Sequence, residues 1–187
     1  NRLQSLIDRE LSSPELSSET DAIRIQHLEL IAELGIAPPA ATLAWLDHLT
    51  GLAQQAPTRR GEFRWQAELL SMGELISSSL GAAFLASTGL RCGWLDSRQW
   101  LKAEPRPNQS DWARWLSVSC TTQGDPARVA ELATQADCFV APGFMGSEGS
   151  LIALETYLRN RGYAVRTWGL GRNVGFRPGH ASAIEQQ

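Results

Sequence analysis

The chain has 187 residues, of which 43% are hydrophobic and 20% charged, and its formal net charge is −3. This composition excludes global disorder and is typical of a soluble globular protein that can bury one sizeable core. The weak negative charge gives no basic surface for nucleic acid or for an anionic membrane, so an anionic ligand would need a local site.

Cysteine usage and apolar runs indicate the compartment. Cys92, Cys120 and Cys138 are odd in number and widely spaced, with no CxxC pair. This pattern predicts neither a disulfide framework nor a zinc site, and we expect no bound metal. We find no signal peptide and no run near the roughly 18–20 apolar residues of a membrane span. A cytoplasmic protein is expected, cut from a longer chain because it begins with Asn1.

The first third of the chain has the periodicity of helices separated by turn signals. Gly35 and the pair Pro38-Pro39 are typical helix terminators. The last helical segment is either one long helix or two abutting ones. Apolar residues at helical spacing predict helices over residues 3–7, 23–34, 43–52 and 60–80.

The rest of the chain alternates short apolar runs with helical segments. Residues 104–110 hold two prolines, Asn and Ser and are predicted to form a loop. The alternation is typical of an α/β fold with αβα layers and a largely parallel sheet, here with a helix-rich N-terminal third. We predict strands over residues 90–95, 116–120, 138–141 and 164–168, and helices over residues 126–135 and 150–161.

One series of motifs carries the strongest functional signal. Gly73-Glu74 is followed by Ser77, by a Gly-containing helix end, and then by the run Trp94-Leu95-Asp96-Ser97-Arg98. In order and spacing this series resembles the aspartate kinase family over about residues 1–146. Without the resemblance, the simpler interpretation of Glu74 is an exposed helix carboxylate, because a carboxylate among apolar residues is costly to bury unless a positive or hydrogen-bonding group meets it.

The resemblance implies a truncated amino acid kinase-like fold and a homodimer. It implies transfer of the γ-phosphoryl group of ATP, bound with Mg²⁺, to the β-carboxylate of L-aspartate, on the route to lysine, threonine and methionine. Glu74 would contact the substrate amino group with Ser77 beside it, and Arg172 would bind a substrate carboxylate. The similarity extends to forms fused to diaminopimelate decarboxylase.

The phosphate-binding machinery of the family is only partly matched. The resemblance implies nucleotide contacts at Gly143, Phe144 and Gly171. The family's Lys-Phe-Gly-Gly turn would lie before Asn1, and residues 170–177 begin like its Gly-Arg-Gly-Gly-Ser-Asp motif but lack the Ser-Asp pair. Phosphoryl transfer needs a cationic side chain and backbone donors at the phosphates. We therefore assign no catalytic residue and expect this chain alone to be inactive.

Two alternatives stay open. Residues 138–178 also resemble the start of a lipase-like α/β-hydrolase, although no serine lies in a GxSxG elbow and no catalytic triad is present. The domain prediction is a partial aspartate kinase-like domain at residues 1–146 and an α/β segment of either family at residues 147–187. A non-catalytic interaction module is the third hypothesis, favoured if the helical first 60 residues expose a large apolar face.

Overall fold

A computed structural model describes residues 2–100, 103–104, 106–116, 120 and 126–142. Within it, Arg2–Pro142 form one compact unit. The predicted domain boundary after residue 146, the helix at 150–161 and the strand at 164–168 lie outside the described residues. They stay predictions.

Residues 2–87 are helical apart from short connections. The predicted helix-rich N-terminal part is confirmed, and the segment that begins near residue 60 is mainly one long helix rather than two. The five helices are α1 (Arg2–Asp8), α2 (Ser13–Glu33), α3 (Ala40–Gln54), α4 (Ala56–Arg59) and α5 (Phe63–Ser87).

Local sequence explains where α2 begins and ends. The Glu15 carboxylate accepts hydrogen bonds from the backbone N–H of Ser12 at 2.8 Å and from its hydroxyl at 2.7 Å. These two bonds lower the pKa of Glu15 and hold a negative charge at the helix N-terminus, where the helix dipole favours it. Pro14 lies in the first turn. After the helix, Gly35 has a φ of 66°, a conformation that favours glycine and stops α2.

Helix α5 forms the centre of the hydrophobic core. The Trp65 indole N–H donates to the Leu52 carbonyl at 3.0 Å, and the hydroxyls of Thr42 and Ser79 lie 2.9 Å apart, so buried polar groups link α3 to α5. Full burial of one large apolar side chain contributes about 1.5–3 kcal/mol. The largest buried side chains of the core are Leu6, Leu16, Leu46, Leu49, Trp65, Leu69, Met72, Leu75 and Ile76.

Helix α5 is also long and apolar enough to cross a membrane, with a mean hydropathy of 1.4 over an 18-residue window. The expectation that no segment reaches this range is therefore wrong for α5. Core helices of soluble proteins have the same length and composition. The apolar residues that α5 buries in the core explain part of its apolar character.

A small parallel sheet follows the helices. Strand β1 (Cys92–Trp94) pairs with β2 (Cys138–Val140), in the register Cys92 to Cys138, Gly93 to Phe139 and Trp94 to Val140. A Cβ atom on Gly93 would lie 2.6 Å from Cε1 of Phe139, so this close approach requires glycine. The part of the chain that the structure describes is thus mostly helical, with one two-stranded parallel sheet. The connection between the strands carries α6 (Ser97–Trp100), α7 (Asp111–Leu116) and α8 (Pro126–Gln135).

Some predicted elements differ from the structure. The helix at residues 126–135 is confirmed as α8. Of the strand predicted at residues 116–120, Leu116 instead ends α7, and Cys120 makes an isolated antiparallel bridge to Ala103. Residues 117–119 lie outside the described residues, and the strand stays a prediction there. Short apolar runs fit helix and strand equally well, and tertiary packing decides between them. The predicted strand at residues 138–141 is confirmed as β2, but its residues are exposed or half-buried rather than buried.

Candidate functional site

The carboxyl ends of β1 and β2 lie side by side. The Leu95 N–H donates to the Val140 carbonyl at 2.9 Å, and the Ser97 hydroxyl donates to the Pro142 carbonyl at 3.2 Å. Ligands of open α/β sheets bind beyond this end of the strands. We refer to the residues that leave β1 here, Trp94, Asp96, Ser97 and Arg98, as the strand-end cluster.

A bidentate ion pair lies at the centre of the strand-end cluster. Arg98 donates from Nε to Oδ1 of Asp96 at 2.9 Å and from Nη2 to Oδ2 at 2.7 Å, and its backbone N–H donates to Oδ1 at 3.0 Å. The hydrogen bonds from the guanidinium lower the pKa of Asp96, against the opposing effect of burial. Arg98 is therefore a fixed, charge-compensated group and not a free cation for phosphate.

Two tryptophans orient this ion pair. The guanidinium carbon of Arg98 lies 5.0 Å from the ring centroid of Trp45, and Trp45 meets Trp94 edge to face with centroids 6.0 Å apart. The indole N–H of Trp94 donates to the Ser78 hydroxyl at 2.9 Å. Such stacking and hydrogen bonds restrict side-chain rotation. Helices α3 and α5 thus hold the end of β1 in place.

Glu74 and Ser77, predicted to bind substrate, take different positions on α5. Glu74 is half-buried and lies four residues before Ser78, which places both on one helix face. Since Ser78 bonds to Trp94, that face is turned toward β1. Ser77 is exposed, and its hydroxyl donates to the Glu74 carbonyl at 3.4 Å. The helix therefore brings Glu74, more than Ser77, toward the strand-end cluster.

The other predicted ligands lie outside the described residues. These are Arg172 for the substrate and Gly143, Phe144 and Gly171 for the nucleotide, and all four stay predictions. Among the residues that the structure describes, no group of three His, Cys, Asp or Glu side chains could hold a metal ion. Mg²⁺ often binds through one or two carboxylates together with substrate phosphates, so an all-protein cage is not required for Mg-ATP.

The described surface offers little support for an interaction module. Ile25, Leu28 and Leu30 of α2 are exposed by 55%, 37% and 41%. At 100° per residue, Ile25 and Leu30 point about 140° apart, so the three do not form one stripe. Single exposed apolar residues are ordinary on soluble proteins.

Two shallow surface depressions also lie away from the strand-end cluster. Neither includes Glu74 or Asp96, so neither coincides with the strand-end cluster. One is on α2 and is lined by Gln26, His27, Glu29, Leu30 and Glu33; the other is at the start of α5 and is lined by Gly61, Glu62, Phe63, Arg64, Asp111 and Trp115.

Sequence reasoning singled out the motif that ends at Arg98 but missed what surrounds it. The ring of Trp45 on α3 covers the Arg98 guanidinium, and the Ser97 hydroxyl donates to the Pro142 carbonyl. Both contacts join residues far apart in the chain, and no local pattern encodes them.

Comparison with known proteins supports a fold relationship. No family model matches the chain, and no curated protein matches it either. Among solved structures, a crystal structure of Escherichia coli aspartokinase III in complex with aspartate and ADP, in the R-state, matches with a TM-score of 0.55 and 22% identity. The match covers 79% of this chain and 32% of that one, so this chain spans about a third of its length. The described structure is accordingly amino acid kinase-like in fold.

Proposed function

We propose that this chain is part of an aspartate kinase, and that it contributes the amino-group side of an L-aspartate site. The observation that carries the proposal is the bond from Trp94 of β1 to Ser78, which lies on the same face of α5 as Glu74, within a fold similar to that of a kinase solved with aspartate and ADP. The reaction would be transfer of the γ-phosphoryl group of Mg-ATP to the β-carboxylate of aspartate.

A half-buried carboxylate suits the proposed role of Glu74. An ammonium group that approaches it would form a charge-assisted hydrogen bond, which stabilises a complex by about 1.5–3 kcal/mol. The strand-end cluster is held rigidly by Trp45 and Trp94, so the groups near Glu74 would lose little freedom when substrate binds. Preorganisation of this kind improves affinity because less side-chain entropy is lost.

The remaining roles follow from the resemblance to the aspartate kinase family. Arg172 would pair with a substrate carboxylate, and Gly143, Phe144 and Gly171 would contact the nucleotide. Arg98 is already paired with Asp96, so it would position the strand end rather than neutralise phosphate. Phosphoryl transfer depends on positioning and on neutralisation of oxygen charge. We infer that further cationic groups are needed for turnover, and that binding is the activity to test.

The wider context of the proposal comes from the family. The complete catalytic unit would have αβα layers around a larger parallel sheet, act in the cytoplasm as a homodimer and bind neither nucleic acid nor a membrane. A fusion to diaminopimelate decarboxylase fits the proposed place in lysine biosynthesis. Size-exclusion chromatography with light scattering tests the dimer directly.

The first experiment is calorimetric titration of the chain with L-aspartate, with and without Mg-ATP. Glu74→Gln removes the charge but keeps the shape of the side chain. We expect it to weaken aspartate binding by about 10-fold or more, because the charge-assisted hydrogen bond that is lost is worth about 1.5–3 kcal/mol and a factor of ten corresponds to about 1.4 kcal/mol. Glu68→Gln is the matched control. Glu68 lies on the same helix, 3.2 Å from His48, and its substitution should leave the aspartate affinity unchanged.

Succinate separates recognition from folding, because it is aspartate without the amino group. Glu74→Gln should leave any succinate binding unchanged while it weakens aspartate binding. An equal loss for both ligands would show that Glu74 supports the local structure and does not meet the amine. If titration of the folded wild-type chain with aspartate releases no heat of binding, the proposal is contradicted for this chain.

A further inference from the structure

Two of the three cysteines face each other across the sheet. Cys92 and Cys138 are partners in the parallel register of β1 and β2. In-register residues of adjacent strands extend to the same side of a sheet, and the strands lie about 4.7–4.9 Å apart. Disulfides form when the two Cα atoms are about 4.4–6.8 Å apart. The backbone therefore holds these thiols within bonding range.

Their exposure makes the two thiols unequal. Cys138 is exposed and Cys92 is half-buried, and both are free. Burial raises the pKa of Cys92, and the adjacent Cys138 thiol raises it further. Thiolates are the reactive form of cysteine, so this shift makes Cys92 less reactive than an ordinary thiol. Cys138 is the side chain that a soluble oxidant would reach first.

We propose that Cys92 and Cys138 form a reversible disulfide that clamps β1 to β2 when the protein meets a small-molecule disulfide such as oxidised glutathione. The bond would be partly exposed, because Cys138 lies at the surface. Exposed disulfides are easily reduced. The modification would therefore be transient in a reducing compartment, and it does not depend on the proposed kinase function.

The chemistry proceeds by two thiol–disulfide exchanges. The Cys138 thiolate attacks one sulfur of oxidised glutathione, which forms a mixed disulfide and releases one glutathione thiolate. The Cys92 thiolate then attacks the Cys138 sulfur, which forms the protein disulfide and releases the second glutathione. The protein thiols lose two electrons and two protons in all, and oxidised glutathione becomes two reduced molecules.

Cys120 provides the internal control. It lies outside both strands, in an isolated antiparallel β-bridge with Ala103, and burial, with the nearby Glu104 charge, raises the pKa of its thiol. Cys120→Ser should therefore still form the disulfide. Cys92→Ser should stop at a glutathione adduct on Cys138. Cys138→Ser should react more slowly than Cys92→Ser and form no internal bond.

The test is oxidation of the dilute chain with oxidised glutathione, followed by maleimide counting of thiols in denaturant and by tryptic mass mapping. Trypsin cleaves after Arg91 and Arg98 and separates Cys92 from the peptide of Cys138. We expect two of the three thiols to disappear, a mass loss of about 2 Da for two hydrogens, and a linked peptide that holds Cys92 and Cys138. Dithiothreitol should restore all three thiols.

Three results would overturn the proposal. One is the survival of all three thiols, another is a stable glutathione adduct on wild-type Cys138, and the third is a linked peptide that contains Cys120. Circular dichroism of each serine variant shows whether it folds. The peptide map of the wild-type chain decides the question even if a serine variant does not fold.

Discussion

At the scale of single residues, Asp96 is the most constrained charge of the strand-end cluster. Its side chain is only 6% exposed, while Arg98 is 43% exposed. We expect Asp96→Asn to lower the free energy of unfolding, because the amide cannot accept both hydrogen bonds from the guanidinium. The loss should be limited to about 1–2 kcal/mol, because Arg98 stays in contact with water. Asp47→Asn is the control: Asp47 is 69% exposed opposite Arg24, and its loss should change stability by at most about 0.5 kcal/mol.

The same residue predicts a pH dependence. The pKa of Asp96 in the folded chain lies below its ordinary value of 3.8. Its stabilisation is therefore complete above that value and is lost as the pH falls through the folded pKa. Urea unfolding from neutral pH down to about pH 3 should show a larger loss of stability for the wild type than for Asp96→Asn. Parallel losses would mean that Asp96 does not contribute through its charge.

Arg60 contrasts with the paired Asp96, because part of its charged group is buried without a hydrogen-bond partner in the described part of the chain. Its Nε and Nη2 atoms are buried and have no hydrogen-bond partner among the described residues. An unpaired buried donor costs about 1–3 kcal/mol. Arg60→Met keeps the aliphatic stem and removes the donors, so we expect the midpoint of urea unfolding to rise. Arg59→Met is the comparison, because Arg59 donates to Glu62 at 3.0 Å and to Gln55 at 2.7 Å. A lower midpoint for Arg60→Met would show that Arg60 stabilises the fold after all.

At the scale of elements, the glycines of α5 differ in what surrounds them. A Cβ on Gly81 would meet no atom within 4 Å, whereas one on Gly73 would lie 3.1 Å from Cδ1 of Leu3. Alanine favours a helix over glycine by about 1 kcal/mol. We expect Gly81→Ala to stabilise the chain by about that amount, measured by thermal unfolding, and Gly73→Ala to gain less because the Leu3 side chain must move aside. Equal gains would show that α1 does not restrict position 73.

The elements that were predicted well have local causes. The end of α2 is an example, because Gly35 stops the helix within one turn. The start was predicted too late: a helix was expected only over residues 23–34, whereas α2 begins at Ser13, after the cap at Ser12. Leu116 was predicted to begin a strand but ends α7, because Trp112 and Leu116 are spaced for a helix as well as for a buried run. Propensity over a few residues does not distinguish the two, and α7 is decided by contacts with α5.

At the scale of the molecule, the sequence predicted the helical part and the two parallel strands but not the contacts between them. Glu74 was found through its motif, and its orientation toward β1 became known only through the bond between Ser78 and Trp94. The Trp45–Arg98 contact joins α3 to the residues after β1. Such contacts depend on the whole packing arrangement, which periodicity does not encode.

The crossover between β1 and β2 has a consequence for the order of folding. Helices α2 to α5 follow one another and pack mainly on near neighbours in the chain, so most of their contacts close short loops. Helix α1 packs on α2 but also on α5, and this second contact joins residues far apart in the chain. The strands are joined only after the segment that carries α6, α7 and α8 has been looped back. Closing a longer loop costs more entropy, and contacts between distant residues form more slowly. We therefore expect α2 to α5 to assemble first, and the α1–α5 contact and the strand-end cluster to be completed later, so that partly folded chains would already have most of the core but not the strand-end cluster.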